Sequence, residues 1–170
     1  MVSIRLAAPE DFEFFYQIKC EPSNIFWTGF DKPPEKEHLR AWFADMISRQ
    51  ADRSSRKIYM ILDHDNVPPP PQTVGYVYLY PVAADSCETS IAVSEQFWGR
   101  HYAQTAWSLV EKGAKQMGFR QIIAFIREDN IASIKMHTAC GAVMTNDFEM
   151  AYIPQLQKEV KMVKFIREVS

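Results

Sequence analysis

The sequence predicts an α/β fold (α+β in some schemes): a mixed, mostly antiparallel central sheet with helices on both faces. A strand, a turn, an amphipathic helix and a second strand follow one another across residues 88–126. Such a unit forms a right-handed crossover between parallel neighbours. The other strand-like runs lie close enough along the chain to pair antiparallel. The run RQIIAFI from Arg120 is almost continuously apolar, which indicates a strand covered on both faces.

A short strand and an aromatic helix are predicted at the start of the chain. The strand is SIRL, from Ser3, and the helix begins at Pro9, a residue suited to the first helical turn. We expect this helix to end before Pro22. Residues 22–34 combine aromatic and apolar side chains with glycine and proline, so they are predicted to form an ordered loop.

A second helix and two strands are predicted next. The helix opens at Pro34, because the apolar residues that follow recur at the i, i+3, i+4, i+7 spacing of one helix face. That face comprises Leu39, Trp42, Phe43, Met46 and Ile47. The runs RKIYMILD, from Arg56, and TVGYVYLY, from Thr73, are predicted to be antiparallel strands. Their connection, HDNVPPPPQ, contains four successive prolines, which predict a stiff surface segment.

The second half of the chain is predicted to alternate strands and helices. ETSIAVS, from Glu88, is a strand, and the helix after it has Gly118 as its C-terminal stop. A short helix is predicted over 130–140, followed by strands around VMTNDFEMAYI and KMVKFIREV. The long helix presents one apolar face, made of Ala103, Ala106, Trp107, Val110, Ala114 and Met117. We expect residues 1–170 to form a single domain.

Composition and charge narrow the function classes. The hydrophobic fraction of 47% and the charged fraction of 24% are typical of globular proteins. A net charge of −2 gives no basic field for a nucleic-acid partner. No apolar run approaches the roughly 20 residues that span a bilayer, and the first residues lack a signal peptide's apolar segment. We therefore expect a cytoplasmic protein without nucleic-acid or membrane partners, and either a monomer or a homodimer.

Cysteine and histidine spacing predicts neither disulfides nor a metal site. The three cysteines form no CxxC pair, and the four histidines form no HxxxH or Cys/His group. The cysteines are expected to be reduced, buried thiols.

Gly99 lies directly ahead of the long amphipathic helix, in EQFWGRHYAQTA. A helix start leaves about four backbone N–H groups unpaired and carries partial positive charge, so it binds anions. A glycine before it lets the backbone curve around such an anion. The alternative is that Gly99 only permits a tight turn from strand to helix. The chain has no GK[ST] sequence, which excludes a P-loop.

The stretch ETSIAVSEQFWGRHYAQTA resembles the acyl-CoA-binding segment of the GCN5-related N-acetyltransferases (GNATs). That family's pattern after the fourth strand is Q/R-x-x-G-x-G/A. Gln96 and Gly99 match it, and His101 replaces the second glycine or alanine.

The stretch EDNIASIKMHTACGAV resembles a second region of the same family, commonly N-x-x-A/S-x-x-x-Y-x-x-x-G-F. Asn130, Ser133 and Gly141 match, while His137 replaces the tyrosine and Ala142 replaces the phenylalanine. Two motifs in the family's order, about the usual distance apart, identify the chain as similar to GNATs.

The resemblance implies that acetyl-CoA binds along the fourth strand and the helix start. Its pyrophosphate would lie on the amides of the loop and first helical turn, and its thioester between the splayed fourth and fifth strands, near a polarising backbone N–H. Arg100 is either a further phosphate contact or simply exposed, and Asn130 either contacts the pantetheine or caps the short helix. The implied cofactor-binding residues are Ile91, Ala92, Val93, Trp98, Gly99, Arg100, His101, Tyr102, Ala103, Asn130 and Ser133.

Two residues are candidates for the catalytic proton transfers. Glu88 stands where many GNATs carry a carboxylate that takes the amine proton; the alternative is an exposed glutamate at a strand end. His137 stands at the position of the tyrosine acid, and an imidazole with a pKa of about 6.5 can protonate a thiolate whose thiol has a pKa of about 8.5. Its alternative is a packing role. No covalent nucleophile is required, so Cys87 and Cys140 are predicted to be core residues.

The acceptor is predicted to bind at NIFWTGF, where aromatic planes stand beside polar groups. The candidate residues are Asn24, Phe26, Trp27 and Thr28. These side chains suit a sugar ring or a peptide end; the alternative is that they only pack, and the lack of acidic residues there disfavours a polyamine. The resulting hypothesis is an N-acetyltransferase acting on a small primary amine such as an amino sugar. Acetylation of a protein N-terminus, of the ribosomal-protein type, and a non-catalytic acyl-CoA-binding module are the alternatives.

Overall fold

A computed structural model describes residues 1–65 and 70–169, and its strands join into one seven-stranded sheet in the order β1-β2-β3-β4-β5-β7-β6. The strands are β1 (Val2–Leu6), β2 (Lys57–Asp63), β3 (Gln72–Pro81), β4 (Ser86–Val93), β5 (Gln121–Arg127), β6 (Val143–Ile153) and β7 (Lys158–Glu168). The helices are α1 (Phe12–Lys19), α2 (Pro22–Thr28), α3 (Lys36–Ser48), α4 (Tyr102–Gln116) and α5 (Ile131–Ala139). Only β4 and β5 pair parallel; the other neighbours pair antiparallel. The predicted mixed, mostly antiparallel sheet is therefore confirmed.

Helices cover both faces of the sheet, as predicted. On one face, Trp107 of α4 packs with Ile122 of β5 and Phe165 of β7 in the larger apolar core. On the other face, Phe15 of α1 and Phe43 of α3 form a second core with residues of β2 and β3. Side chains alternate between faces along a strand, so neighbouring residues of β3 and β4 belong to different cores.

The loop predicted over residues 22–34 is wrong in its first half, because Pro22–Thr28 forms the helix α2. Pro22 occupies the first helical turn, and Gly29 ends the helix in a left-handed conformation with φ of 81°. The proline and glycine that suggested a loop are therefore the start and stop signals of a short helix. Asn24 and Ile25 are its buried residues.

Two carboxylates fix the start of α2 to the end of β4. Glu21 accepts hydrogen bonds from Ser94 Oγ at 2.6 Å and from the Glu95 amide at 3.1 Å. Glu95 accepts in return from the Ser23 amide at 2.9 Å, one of the unpaired N–H groups of the helix start. Each segment both donates and accepts hydrogen bonds, so neither can shift without breaking them.

A buried arginine fixes the other end of α2 to the end of β5. Arg127, which is 2% exposed, donates from Nη1 to the Phe26 carbonyl at 2.9 Å. Its Nε and Nη2 bind the two carboxylate oxygens of Asp129 at 3.0 and 2.7 Å. The guanidinium also lies 4.6 Å from the Phe26 ring centre and 4.8 Å from that of Trp27. A cation at the C-terminal end of a helix is electrostatically favourable.

The remaining predicted elements occur close to their expected positions, and the antiparallel pairing of β2 with β3 is confirmed. The proline-rich connection predicted to be stiff includes residues 66–69, which lie outside the described residues. Within the described ranges, none of the helices has the length and apolar character needed to cross a bilayer.

Two glycine-to-alanine substitutions should change stability in opposite directions. At Gly29 an added Cβ would lie 2.8 Å from Ile153 Cδ1, and the positive φ disfavours any side chain. We expect Gly29→Ala to lower the free energy of unfolding by about 1–2 kcal/mol. Gly113, inside α4, has open space where its Cβ would stand. Gly113→Ala should therefore raise that free energy by about 0.5–1 kcal/mol.

Urea denaturation of the two variants beside the wild type measures both changes. Equal stability of Gly29→Ala and the wild type would contradict the role assigned to Gly29 as the stop of α2.

Candidate active site

A V-shaped gap opens between β4 and β5. The two strands pair only at Ser86–Gln121, Cys87–Ile122 and Glu88–Ile123. Beyond this point β4 continues against β3 alone, and β5 continues against β7 alone. The site is therefore built around main-chain groups that one edge of β4 leaves available.

The register of β4 determines which main-chain groups face the gap. The Ser94 amide donates to the Val74 carbonyl of β3 at 3.0 Å. In an antiparallel ladder the N–H and C=O of successive residues point to opposite sides, so those of Ile91 and Val93 point into the gap. Those of Ala92 point toward β3, so of the three predicted residues Ala92 offers no main-chain group to the gap.

The indole of Trp98 occupies one of these groups. Trp98 Nε1 donates to the Val93 carbonyl at 2.8 Å, while the ring itself is more than half exposed. An extended ligand that pairs with this edge of β4 must either displace the indole from the Val93 carbonyl or bind without a hydrogen bond to that carbonyl.

The loop before α4 presents a series of amides at the wide end of the gap. Gly99 and His101 both have left-handed backbone conformations, with φ of 76° and 62°. The first amide to bond back into α4 is that of Thr105, which donates to the His101 carbonyl at 3.1 Å. The amides of Tyr102 and Ala103 therefore point out of the helix start, as an anion site requires.

His101 fits the position that the family pattern gives to glycine or alanine because its side chain folds onto its own helix. Its Nδ1 donates to Gln104 Oε1 at 2.6 Å, and the ring is exposed. The left-handed backbone explains why glycine suits this position, since other residues there cost about 1–2 kcal/mol. Arg100 is also exposed, with its guanidinium 5.8 Å from the Phe97 ring centre.

Tyr102 contributes its amide rather than its side chain. Its buried hydroxyl donates to Asp63 Oδ2 at 2.6 Å, which joins the start of α4 to the end of β2. This hydrogen bond raises the pKa of Tyr102 and lowers that of Asp63. The first turn of α4 is thereby held rigidly beside the gap.

Asn130 and Ser133 lie at the start of α5, a helix that packs against α4 through His137 and Trp107. Asn130 Oδ1 accepts from the Ser133 amide at 3.1 Å, so its side-chain oxygen caps the helix. The geometry thus supports the capping alternative for Asn130. Ser133 is tied to the same helix, because its carbonyl accepts from His137 Nδ1 at 2.8 Å.

His137 packs in the larger core. Its ring meets that of Trp107 edge-on, with centroids 4.8 Å apart, and lies 6.0 Å from that of Phe165. Burial lowers the pKa of His137 below its ordinary value, against the opposing effect of the Ser133 carbonyl. The imidazole is therefore neutral at pH 7 and has no extra proton for a thiolate. This geometry favours packing over the acid role.

Glu88 lies at the apex of the gap, on the last residue of β4 that pairs with β5. Its cross-strand neighbour is Tyr80, whose hydroxyl donates to the Glu88 carboxylate. Burial raises the pKa of Glu88; the Tyr80 hydrogen bond opposes this rise, Glu149 adds to it and Arg56 opposes it. A half-buried carboxylate with a raised pKa is suited to accept a proton.

The predicted acceptor residues of α2 have different environments. Phe26 and Trp27 pack against Arg127, and Thr28 Oγ1 donates to the Asn24 carbonyl at 2.5 Å. Asn24 Nδ2 lies 3.4 Å from the Tyr76 hydroxyl, but Asn24 Oδ1 is buried without a partner. Among these residues, as the structure describes them, Asn24 is the one with a buried side-chain polar atom that has no partner.

Cys87 is buried as predicted, whereas Cys20 and Cys140 are only partly buried. Burial raises the pKa of Cys87 to about 12, so it remains a thiol at neutral pH. Cys140 Sγ contacts Met136 Sδ at 3.8 Å. Across residues 1–65 and 70–169, no three His, Cys, Asp or Glu side chains converge as metal ligands.

Residues 2–143 match the family model described as an acetyltransferase (GNAT) domain. The chain belongs to the GNAT acetyltransferase family. Acetyl-CoA is the co-substrate of this family, so the identification from the two motifs and the cofactor that it implied are confirmed.

Individual relatives of this GNAT chain are distant. The uncharacterized protein MJ1062 of Methanocaldococcus jannaschii is 29% identical over 143 residues, which make up 82% of this chain and 28% of that protein. The chain thus spans less than a third of its curated relative.

Solved structures share the whole fold. Spermidine N-acetyltransferase from Vibrio cholerae, in complex with CoA and spermine, has a TM-score of 0.84 at 13% identity and covers 99% of this chain and 95% of its own. Phosphinothricin acetyltransferase from Sinorhizobium meliloti, in complex with acetyl-CoA, has a TM-score of 0.77 at 20% identity and covers 99% and 89%.

A substitution at His101 tests the role of the loop before α4. His101→Gly removes an unfavourable left-handed side-chain position and leaves every amide in place. We expect coenzyme A binding, measured by titration calorimetry, to stay the same or tighten. The matched change, Gly99→Ala, places a methyl group in open space but strains the backbone, so it should weaken binding. A tenfold loss of affinity in His101→Gly would instead make the imidazole a direct ligand.

Proposed function

We propose that this chain is a cytoplasmic N-acetyltransferase that transfers the acetyl group of acetyl-CoA to the primary amine of a small molecule. The proposal rests on the spatial order of three features: the free amides at the start of α4, the gap-facing main chain of β4 and the carboxylate of Glu88. In that order they supply an anion site, a strand edge for an extended ligand and a base.

Main-chain donors of the loop and α4 hold the cofactor's diphosphate in this proposal. The left-handed backbone at Gly99 and His101 turns the chain so that the amides before and within the first helical turn face one anion. The site depends on backbone geometry, which explains how His101 replaces a glycine or alanine without abolishing binding.

The transfer requires one bond to form and one to break at the thioester carbonyl. The neutral amine bonds to the acetyl carbon and the C–S bond breaks, while the Ile91 or Val93 amide donates to the carbonyl oxygen as negative charge develops. Glu88 takes the proton released by the nitrogen, directly or through water. The thiolate takes a proton from solvent, which yields the amide and coenzyme A.

In this proposal the acceptor is a small molecule, since α2 occupies the wide end of the gap as a fixed wall. This helix is fastened at both ends, through Glu21 at its start and through Arg127 at its end. The aromatic rings of Phe26 and Trp27 are occupied by Arg127, so they are not free to stack on a sugar. This argues against the amino-sugar example of the sequence analysis and retains its broader class, a small primary amine.

The role of Glu88 predicts both a rate loss and a changed pH profile. Glu88→Gln should lower kcat by about 100-fold or more with little change in coenzyme A affinity. The raised pKa of Glu88 means that wild-type kcat/KM rises with pH through a value above the ordinary glutamate pKa of about 4.3, since the carboxylate accepts protons only when ionised. Thiol release across a panel of amines measures both effects.

Two neighbouring variants should move the acidic limb of that profile in opposite directions. Tyr80→Phe removes a hydrogen bond that stabilises the ionised form of Glu88, so the limb should move to higher pH. Glu149→Gln removes a repelling charge, so the limb should move to lower pH.

A wild type that binds coenzyme A but acetylates no amine in the panel would favour the non-catalytic module, and unchanged rates in Glu88→Gln would remove Glu88 as the base.

A further inference from the structure

The sheet face that carries Glu88 also holds a buried lysine within an aromatic cage. Lys19, the last residue of α1, is 9% exposed. Its Nζ lies 4.9 Å from the ring centre of Tyr76, 5.2 Å from that of Tyr78 and 5.5 Å from that of Phe15. In the described part of the chain, no hydrogen bond or ion pair reaches this ammonium.

A buried ammonium with three N–H donors is unfavourable unless something compensates its lost hydration. The three rings of the cage supply part of that compensation through cation–π attraction. They accept no strong hydrogen bond from it, so the capacity of Lys19 to bind an anion is unused.

Asn24 places a second unused group beside the same tyrosine. Its side chain is 9% exposed, and its Nδ2 lies 3.4 Å from the Tyr76 hydroxyl. Its Oδ1 is buried without a hydrogen-bond partner. Unpaired buried polar atoms are rare in proteins because they are destabilising, and a ligand is one means of pairing them. The Lys19 ammonium and the Asn24 side-chain oxygen thus give this part of the sheet face unused donors and an unused acceptor.

The charges on this face are arranged along a row of tyrosines. Tyr76, Tyr78 and Tyr80 alternate along β3, so their side chains point to one face at steps of about 6.6 Å. Lys19 lies at the Tyr76 and Tyr78 end, and the carboxylate of Glu88 lies at the Tyr80 end. The Arg56 guanidinium lies between them, 5.6 Å from the Tyr78 ring centre and 4.5 Å from that of Tyr80, so this face carries two cations and the Glu88 carboxylate.

Part of the surface between Lys19 and Glu88 is exposed. Ser90, the cross-strand partner of Tyr78, is small and exposed, whereas Tyr78 itself packs against Trp42. Ser90 lies on β4 two residues from Glu88 and therefore on the same face. A molecule resting on Ser90 lies between the Glu88 carboxylate and the lysine cage.

We propose that the acceptor is an amino carboxylate, a primary amine that also carries a carboxylate group. The carboxylate pairs with Lys19 Nζ, and the amine faces Glu88. The inference rests on the proposed function, because it names the substrate class of that same site. It follows from the unpaired ammonium of Lys19 and the carboxylate of Glu88, which suit a molecule with a carboxylate at one end and an amine at the other.

The test compares acceptors that differ only in charge. The ω-amino acids from 3-aminopropanoate to 6-aminohexanoate are assayed beside their carboxamides, with acetyl-CoA and a thiol reagent. We expect wild-type kcat/KM to favour the best carboxylate over its carboxamide by tenfold or more. Lys19→Met should raise the KM for that carboxylate at least tenfold, change kcat less than twofold and leave the carboxamide unaffected.

Two control variants separate charge from packing. Lys19→Arg keeps the cation and should retain the carboxylate preference. Lys161→Met removes another lysine that lies over an aromatic ring, 4.8 Å from the Phe148 centre, and should change nothing. The thermal shift that the best carboxylate produces without acetyl-CoA should disappear in Lys19→Met and persist in Lys161→Met.

Other outcomes overturn the inference. A wild type that acetylates carboxamides as well as carboxylates refutes it while leaving the proposed function intact. Equal losses for both acceptor types in Lys19→Met, with the same losses in Lys19→Arg, would show that the lysine only packs. A wild type that acetylates no amine at all refutes the proposed function, and the inference with it.

Discussion

The site depends on the separation of β4 from β5, and α2 bridges the two strands where they diverge. Adjacent strands normally lie about 4.8 Å apart, whereas a helix of seven residues is roughly 10 Å long. One end of α2 is bonded to the end of β4 through Glu21 and Glu95, and the other to the end of β5 through Arg127. A helix held in this way prevents the strands from closing, so main-chain groups of β4 remain available to a ligand.

This arrangement explains why a buried arginine stands at the end of an apolar strand. Arg127 satisfies a helix-terminal carbonyl, forms a forked pair with Asp129 and covers two aromatic rings with one planar group. A lysine presents a point charge and cannot make these contacts together. The side chain therefore acts on the site through the position of α2.

The sequence was sufficient for the parts of the site that depend on the backbone, and insufficient for those that depend on side chains from distant segments. Gly99 and the apolar face of α4 predict a helix start after a turn, and the left-handed φ at His101 explains why the family pattern favours glycine there. The helix α2 was missed because Pro22 and Gly29 were interpreted as loop residues instead of as its start and stop. The cage around Lys19 joins α1 to β3, a tertiary contact that no local spacing reveals.

The proposed site recognises its two ligands on opposite faces of the sheet and in two different ways. In the proposed function, the anion of the cofactor meets main-chain amides on the α4 face, and these amides do not depend on the side chain of His101. On the α1 face, the proposed acceptor meets side chains, namely the charges of Glu88 and Lys19. Side-chain recognition changes when one of those side chains is replaced, whereas backbone recognition changes only where a substitution alters the backbone conformation, as at Gly99. Under this proposal, cofactor binding therefore depends on the backbone, and the choice of acceptor depends on a few side chains of α1 and β4.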